Sequence, residues 1–144
     1  MIIQFLVSML ACLSFAILFC APRNQCIYCA LTGAAGWLSY LLLEPAAGAV
    51  AASLLATFLL TILSRIFAAA RKNPVTLYLV IGIFPLVPGA GIYYTSYYFI
   101  MNDMTRFAVK GMETFKIAGA IALGIIFALA IPQSLFHIFQ RAHK

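Results

Sequence analysis

The chain has 144 residues, 65% of them hydrophobic and only 8% charged, with a formal net charge of +6. A soluble domain carries about 25% charged residues, so this composition excludes one and points to an all-α integral membrane protein. The basic residues sit mostly at the ends of apolar runs, where orientation and lipid headgroups account for them. No basic patch interleaved with exposed aromatics remains for nucleic acid.

Five transmembrane helices in a single domain spanning residues 1–144 are expected, over about 2–21, 27–43, 46–70, 75–101 and 117–139. The first, Ile2 to Ala21, is uncharged and about 30 Å long as a helix, which matches the hydrocarbon core. It lacks a basic n-region and a clean small-x-small cleavage site, so it reads as a retained span and not a signal peptide. Pro22-Arg23-Asn24-Gln25 ends it. In the second span Gly33 and Gly36 let another helix approach closely, and Glu44-Pro45 ends it. In the third, Gly48, Ala52 and Ala56 form a small-residue stripe. Arg65 is the one formal charge well inside an apolar run. It either snorkels toward Arg71-Lys72 at the span end or faces an anionic substrate from inside the bundle.

The fourth span, Val75 to Met101, holds no charge and contains Pro85-Leu86-Val87-Pro88-Gly89-Ala90-Gly91. Pro85 removes a donor to the carbonyl of Ile81, and Pro88 removes one to that of Phe84. The span is expected to break there, at depth. In hydrocarbon such freed groups are tolerated only where protein or a water-filled cavity surrounds them. A structural kink and a binding site are both open readings of this element, since broken spans carry binding sites in transporters. Tyr97 and Tyr98 read as an interfacial aromatic belt, and Tyr93 lies one turn past the break.

Residues 103–116 read as an amphipathic helix before the fifth span. Met104, Phe107, Ala108, Gly111, Met112 and Phe115 lie on one face, with Asp103, Arg106, Lys110 and Glu113 opposite. Asp103 is a candidate N-cap. The segment either lies along the membrane surface or runs on into the last span. In that span Ala120, Gly124 and Ala128 form a second small stripe and Pro132 introduces a kink. Both small stripes are expected to serve association with a second subunit. His137 and His143 are too few and too peripheral for a metal site.

With the N-terminus outside, six basic residues fall on the inner segments and three on the outer ones. That split favours N-out, C-in. If the broken span re-enters instead, the split becomes seven against two, so charge counting leaves both open. Break depth and span length favour the crossing.

Catalytic chemistry is missing. There is no carboxylate pair within one span, no nucleophile motif with a His in reach and no phosphate-binding loop. An enzyme is therefore not expected, and neither is a cofactor. Cys12 and Cys20 read as small core residues. Cys26-Ile27-Tyr28-Cys29 has redox or half-zinc spacing, but without a second pair it is weak evidence. A transport site needs less. The half-helix starting near Gly89 has first-turn N–H groups with no intrahelical partner, and its partial positive charge suits a carboxylate. Gly89, Ala90 and Gly91 leave that backbone sterically open. The carbonyls freed by the prolines suit an ammonium. Candidate substrate-binding residues are therefore Pro85, Pro88, Gly89, Ala90, Gly91 and Tyr93, with Arg65 in second rank.

Several stretches carry a likeness across nearly the whole chain. They are Phe15-Ala16-Ile17-Leu18-Phe19 before Pro22, Cys29-Ala30-Leu31 with Gly33 and Gly36, and Ser64-Arg65 before Pro74. Pro85-Leu86-Val87-Pro88-Gly89 with Tyr93, and Ile131-Pro132 before the basic tail, complete the pattern. The chain resembles the small, second-half subunit of the threonine/serine exporter family, which includes two-component exporters of dicarboxylates. The resemblance implies a bacterial cytoplasmic (inner) membrane subunit that exports small amino acids or small carboxylates. It implies a larger partner subunit of the same family, with homo-oligomers as a further possibility. An odd number of spans would set the two halves in an inverted repeat. A non-transporting assembly subunit is the alternative.

Overall fold

The computed structural model describes residues 1–132; the expectations for residues 133–144, including His137, His143 and the basic tail, lie outside the described residues. Within them the chain is all-α. The helices are α1 (Ile2–Leu18), α2 (Cys26–Arg71), α3 (Val75–Ile83), α4 (Gly89–Ile100) and α5 (Met104–Ala130), with a short 3-10 turn at Phe84–Leu86.

The first helix stops earlier than Pro22. Cys20 adopts a left-handed backbone (φ 54°), its N–H bonds to the carbonyl of Ile17, and that of Ala21 bonds to Ala16. This is a Schellman ending, made by a cysteine where glycine is usual. Cys20 is consequently exposed, not a core residue. Cys12, by contrast, is fully buried beside Cys29 and Ala30.

α2 covers the expected second and third spans in one 46-residue element, interrupted at Gly48 by non-helical backbone (φ 76°, ψ 163°). A straight helix would hold Gly36 and Leu60 about 36 Å apart. Instead, a Cβ on Gly36 would overlap the Leu60 side chain, and the Tyr28 and Phe67 rings meet at 5.4 Å. α2 is therefore an antiparallel pair of arms, 26–47 and 49–71, folded back at Gly48. The reversal lies three residues beyond Pro45, where the sequence pattern ends the second span. Proline alone only removes one donor and tolerates helical φ, whereas the backbone at Gly48 lies in a region essentially restricted to glycine.

The first arm holds α1 and α3 on its small residues. A Cβ at Gly33 would meet Cys12 and the carbonyl of Gly82, so the expected close approach at Gly33 and Gly36 occurs. Tyr78 is fully buried and donates its hydroxyl to Gln25 Oε1 at 2.7 Å, tying α3 to the start of α2.

The second arm holds α5. A Cβ on Gly124 would lie 2.6 Å from the Leu54 carbonyl and 3.1 Å from Thr57. Ala52, Ala56 and Ala128 are fully buried. These small residues are thus packed within the chain, Gly124 against Leu54, Thr57 and Phe58 of the second arm and Ala56 in a cluster with Leu60, Leu79 and Leu86. Four hydroxyls on this arm, Ser53, Thr57, Thr61 and Ser64, each donate to the carbonyl four residues back, which satisfies polar groups without water.

α5 is a single helix of 27 residues, so the amphipathic segment is no separate element; it runs on into the last span. Asp103 caps it by accepting from the Arg106 N–H at 3.1 Å. It ends at Ala130, before Ile131 and Pro132. The residue before a proline disfavours helical backbone, so in place of the expected kink at Pro132 the helix stops. By length and apolarity alone, α2 and α5 can cross a membrane, and the bent pair α3–α4 makes a third; α1, at 17 residues, is shorter. The helical class expected from sequence is observed, whereas length and apolarity do not by themselves mark five separate spans.

Gly48→Ala is expected to lower stability by about 1–3 kcal/mol through the strained backbone. Gly119→Ala, at a helical glycine with open space around it, should be neutral or stabilising by up to about 1 kcal/mol. Thermal midpoints of the two variants in detergent check this; equal midpoints would remove the special role of Gly48.

Candidate functional site

The break in the fourth apolar run is built by its prolines. Pro85 sits in the 3-10 turn, and the Val87 N–H bonds to the carbonyl of Phe84 at 3.3 Å. That carbonyl, expected to be free because of Pro88, is thus occupied locally. Val87 is extended (φ −61°, ψ 129°), as the residue before a proline must be. α4 then starts at Gly89 with no side-chain cap, and its axis turns 53° from that of α3. No residue of α4 is buried. It leaves the core and is held against α5, where Gly91 meets Thr114, Thr95 meets Gly111, and the Phe99 and Phe107 rings lie 5.4 Å apart.

A cavity of about 250 Å³ opens at this break. Pro85, Pro88, Gly89, Ala90 and Gly91 form one wall. The first arm of α2 contributes Trp37 and Tyr40, its second arm Ser53, and α5 contributes Lys110, Glu113, Thr114 and Ile117. Trp37 and Tyr40 are stacked with centroids 5.4 Å apart. Each is fixed from behind: Trp37 Nε1 donates to Gln4 Oε1 at 3.2 Å, and the Tyr40 hydroxyl donates to Glu44 Oε1 at 3.1 Å. Ser53 spends its proton on the Ala49 carbonyl. Tyr40 and Ser53 therefore present oxygen lone pairs. The Gly89 N–H bonds to the Val87 carbonyl at 2.7 Å, so Lys110 and the Ala90 and Gly91 N–H groups of the first turn of α4 supply the donors. Lys110 Nζ donates to Glu113 Oε2 at 2.7 Å.

Five of the seven sequence-derived candidates thus share one cavity, and two do not. Tyr93 is 62% exposed, meets Tyr94 edge-to-face and stacks on Tyr97, outside the cavity lining. Arg65 is 5% exposed, which is not the snorkelled position. It reaches the end of α5 instead, where Nη1 donates to the carbonyl of Ala128 at 2.6 Å and lies 3.4 Å from that of Leu129. The last carbonyls of a helix lack intrahelical donors and carry partial negative charge, so a guanidinium there is favourable twice over. The three small residues at the break also differ. A Cβ on Gly89 meets nothing within 4 Å, whereas one on Gly91 would overlap Thr114. Gly89 is open to the cavity; Gly91 is small because α5 lies against it.

Trp37, Tyr40, Ser53, Lys110, Glu113 and Thr114 were not singled out from sequence. Lys110, Glu113, Thr114 and Ile117 do follow helical spacing on one face, but that face reads as solvated when its charges are compared with Met112 and Phe115. In the structure Met112 and Phe115 are exposed and the Lys110–Glu113 face lines the cavity. Cys26 and Cys29 are buried, with Cys29 Sγ 3.8 Å from the Leu77 carbonyl. Among the described residues no group of three or more His, Cys, Asp or Glu is placed to hold a metal.

A bundle of apolar helices with two long enough to cross a membrane and a bent pair beside them defines an α-helical membrane protein. The model for the family "Threonine/Serine exporter, ThrE" matches residues 4–131, and the chain belongs to that family. No curated protein and no solved structure matches the chain.

Arg65→Gln should loosen the C-terminal turn of α5 by about 1.5–3 kcal/mol, the usual worth of a hydrogen bond to a charged group. Amide exchange over residues 126–131 would read this as faster exchange there than in the first half of α5. Unchanged exchange would show that the cap is dispensable.

Proposed function

We propose that this chain is a subunit of a secondary exporter for small amino acids, threonine or serine among them, or small carboxylates. It works with a larger partner subunit of the same family in a bacterial cytoplasmic membrane. In this reading the two arms of α2 each cross, α1 and the α3–α4 pair cross once each, and α5 makes the fifth crossing. Met1 is then outside and the C-terminus inside. The observation that carries the functional reading is the cavity at the proline break, lined by donors and acceptors, in a chain of an exporter family. Its volume of about 250 Å³ lies just below the range of about 300–1,000 Å³ for drug-sized ligands and suits a small metabolite. The first turn of α4 and Lys110 receive the carboxylate; Tyr93 and Arg65 are not needed as contacts. An enzyme is not proposed, because the family is one of transporters.

Gly89→Val tests the site cleanly. Its side chain enters open space, so folding and insertion should be preserved while the cavity is obstructed. Export normalised to membrane protein level is expected to fall by at least about tenfold, the effect of 1.4 kcal/mol. Gly91→Val, by contrast, should reduce the amount of folded protein through its clash with Thr114. A Gly89→Val variant exporting at wild-type rate would return the function to an assembly subunit. Efflux from cells with this chain alone, with the partner, and with neither separates those roles. Compartment-specific reporters fused at each end test the orientation; a C-terminus outside would overturn the five-crossing reading.

A further inference from the structure

The charged pair in the cavity has no evident structural task. Lys110 and Glu113 are three residues apart on α5 and both side chains are part-exposed, at 37% and 48%. An exposed pair of this kind contributes little to stability, and lysine preceding glutamate is the less favourable order on a helix. Yet the pair lies on the cavity face, while the exposed apolar residues Met112 and Phe115 occupy the other side of the same helix.

We propose that Lys110 and Glu113 are the specificity-determining residues of this cavity, reading a ligand that carries one positive and one negative charge. The inference rests on the exporter reading above. The pair opens, Lys110 passes from Glu113 to the ligand carboxylate, and Glu113 takes the ligand ammonium. Each charge exchanges one partner for another, so none is left uncompensated. The Tyr40 oxygen, whose proton is spent on Glu44, is a further acceptor for the ammonium. A dicarboxylate brings a second negative charge against Glu113 and no group to compensate it, and that repulsion is the discriminating element. Lys110 alone would bind either anion; Glu113 makes the choice.

The test is efflux of L-threonine and of succinate from cells carrying the chain with its native partners, each rate normalised to membrane protein level. Glu113→Gln is expected to lower threonine efflux at least about tenfold and to leave succinate efflux unchanged or raised. The double exchange Lys110→Glu with Glu113→Lys still offers both signs and should recover most of the threonine rate. Equal losses for both probes in Glu113→Gln, or a threonine rate within about twofold of wild type, would overturn the inference and leave the exporter reading intact. So would a wild-type chain that exports succinate and not threonine. A wild-type chain that exports neither overturns the exporter reading along with it.

Discussion

A chain this poor in charge must satisfy its backbone from within. Water is not at hand in hydrocarbon, so each N–H and C=O needs a partner supplied by the protein. Many features of the structure follow from that demand. The hydroxyls of Ser53, Thr57, Thr61 and Ser64 each turn back on the carbonyl one turn earlier. The end of α1 closes through Cys20 and Ala21 without any side chain. The end of α5 is met by a guanidinium from another helix, at 2.6 Å. Among the described residues, no buried side-chain nitrogen or oxygen lacks a hydrogen-bond partner.

The proline break is where the demand is relaxed. The 3-10 turn recovers the Phe84 carbonyl for Val87, but the start of α4 gains no side-chain cap. Two prolines three positions apart in a continuous helix would each have removed one ladder bond; the extended Val87 between them converts a kink into a break of direction. The same geometry that leaves the first turn of α4 uncapped also swings α4 out of the core, and the space vacated is the cavity. The cavity and the broken packing are thus one structural event, not two.

Close approach elsewhere gives this region its frame. Gly124 brings α5 to the backbone of the second arm of α2, and Gly33 brings α1 and α3 to the first. With the small residues spent on these internal seams, the surface left outward is large and apolar, including Leu10, Ile17, Phe115 and Ile126, which suits lipid contact.

The sequence by itself determined the membrane class, the helical content, the break at Pro85–Gly89, the N-cap at Asp103 and the family likeness. These are local or compositional properties: charge density, the donor missing from proline, the reach of an aspartate to the next turn. Tertiary structure decided what each small or charged residue faces. The Gly48 fold-back could be placed near Pro45 but not at its own position, since only the backbone angle separates the two. The two small stripes were legible as packing surfaces, and only the fold showed what lies against them, the Leu54–Phe58 backbone at Gly124 and Leu60, Leu79 and Leu86 at Ala56. Arg65 had two readings on sequence and received a third, because the end of α5 lies more than sixty residues away along the chain. Lys110 and Glu113 looked like a solvated face because helical periodicity gives the faces of a helix and not which of them borders a cavity; both stay part-exposed, and the packing of α4 on α5 puts them on the cavity lining.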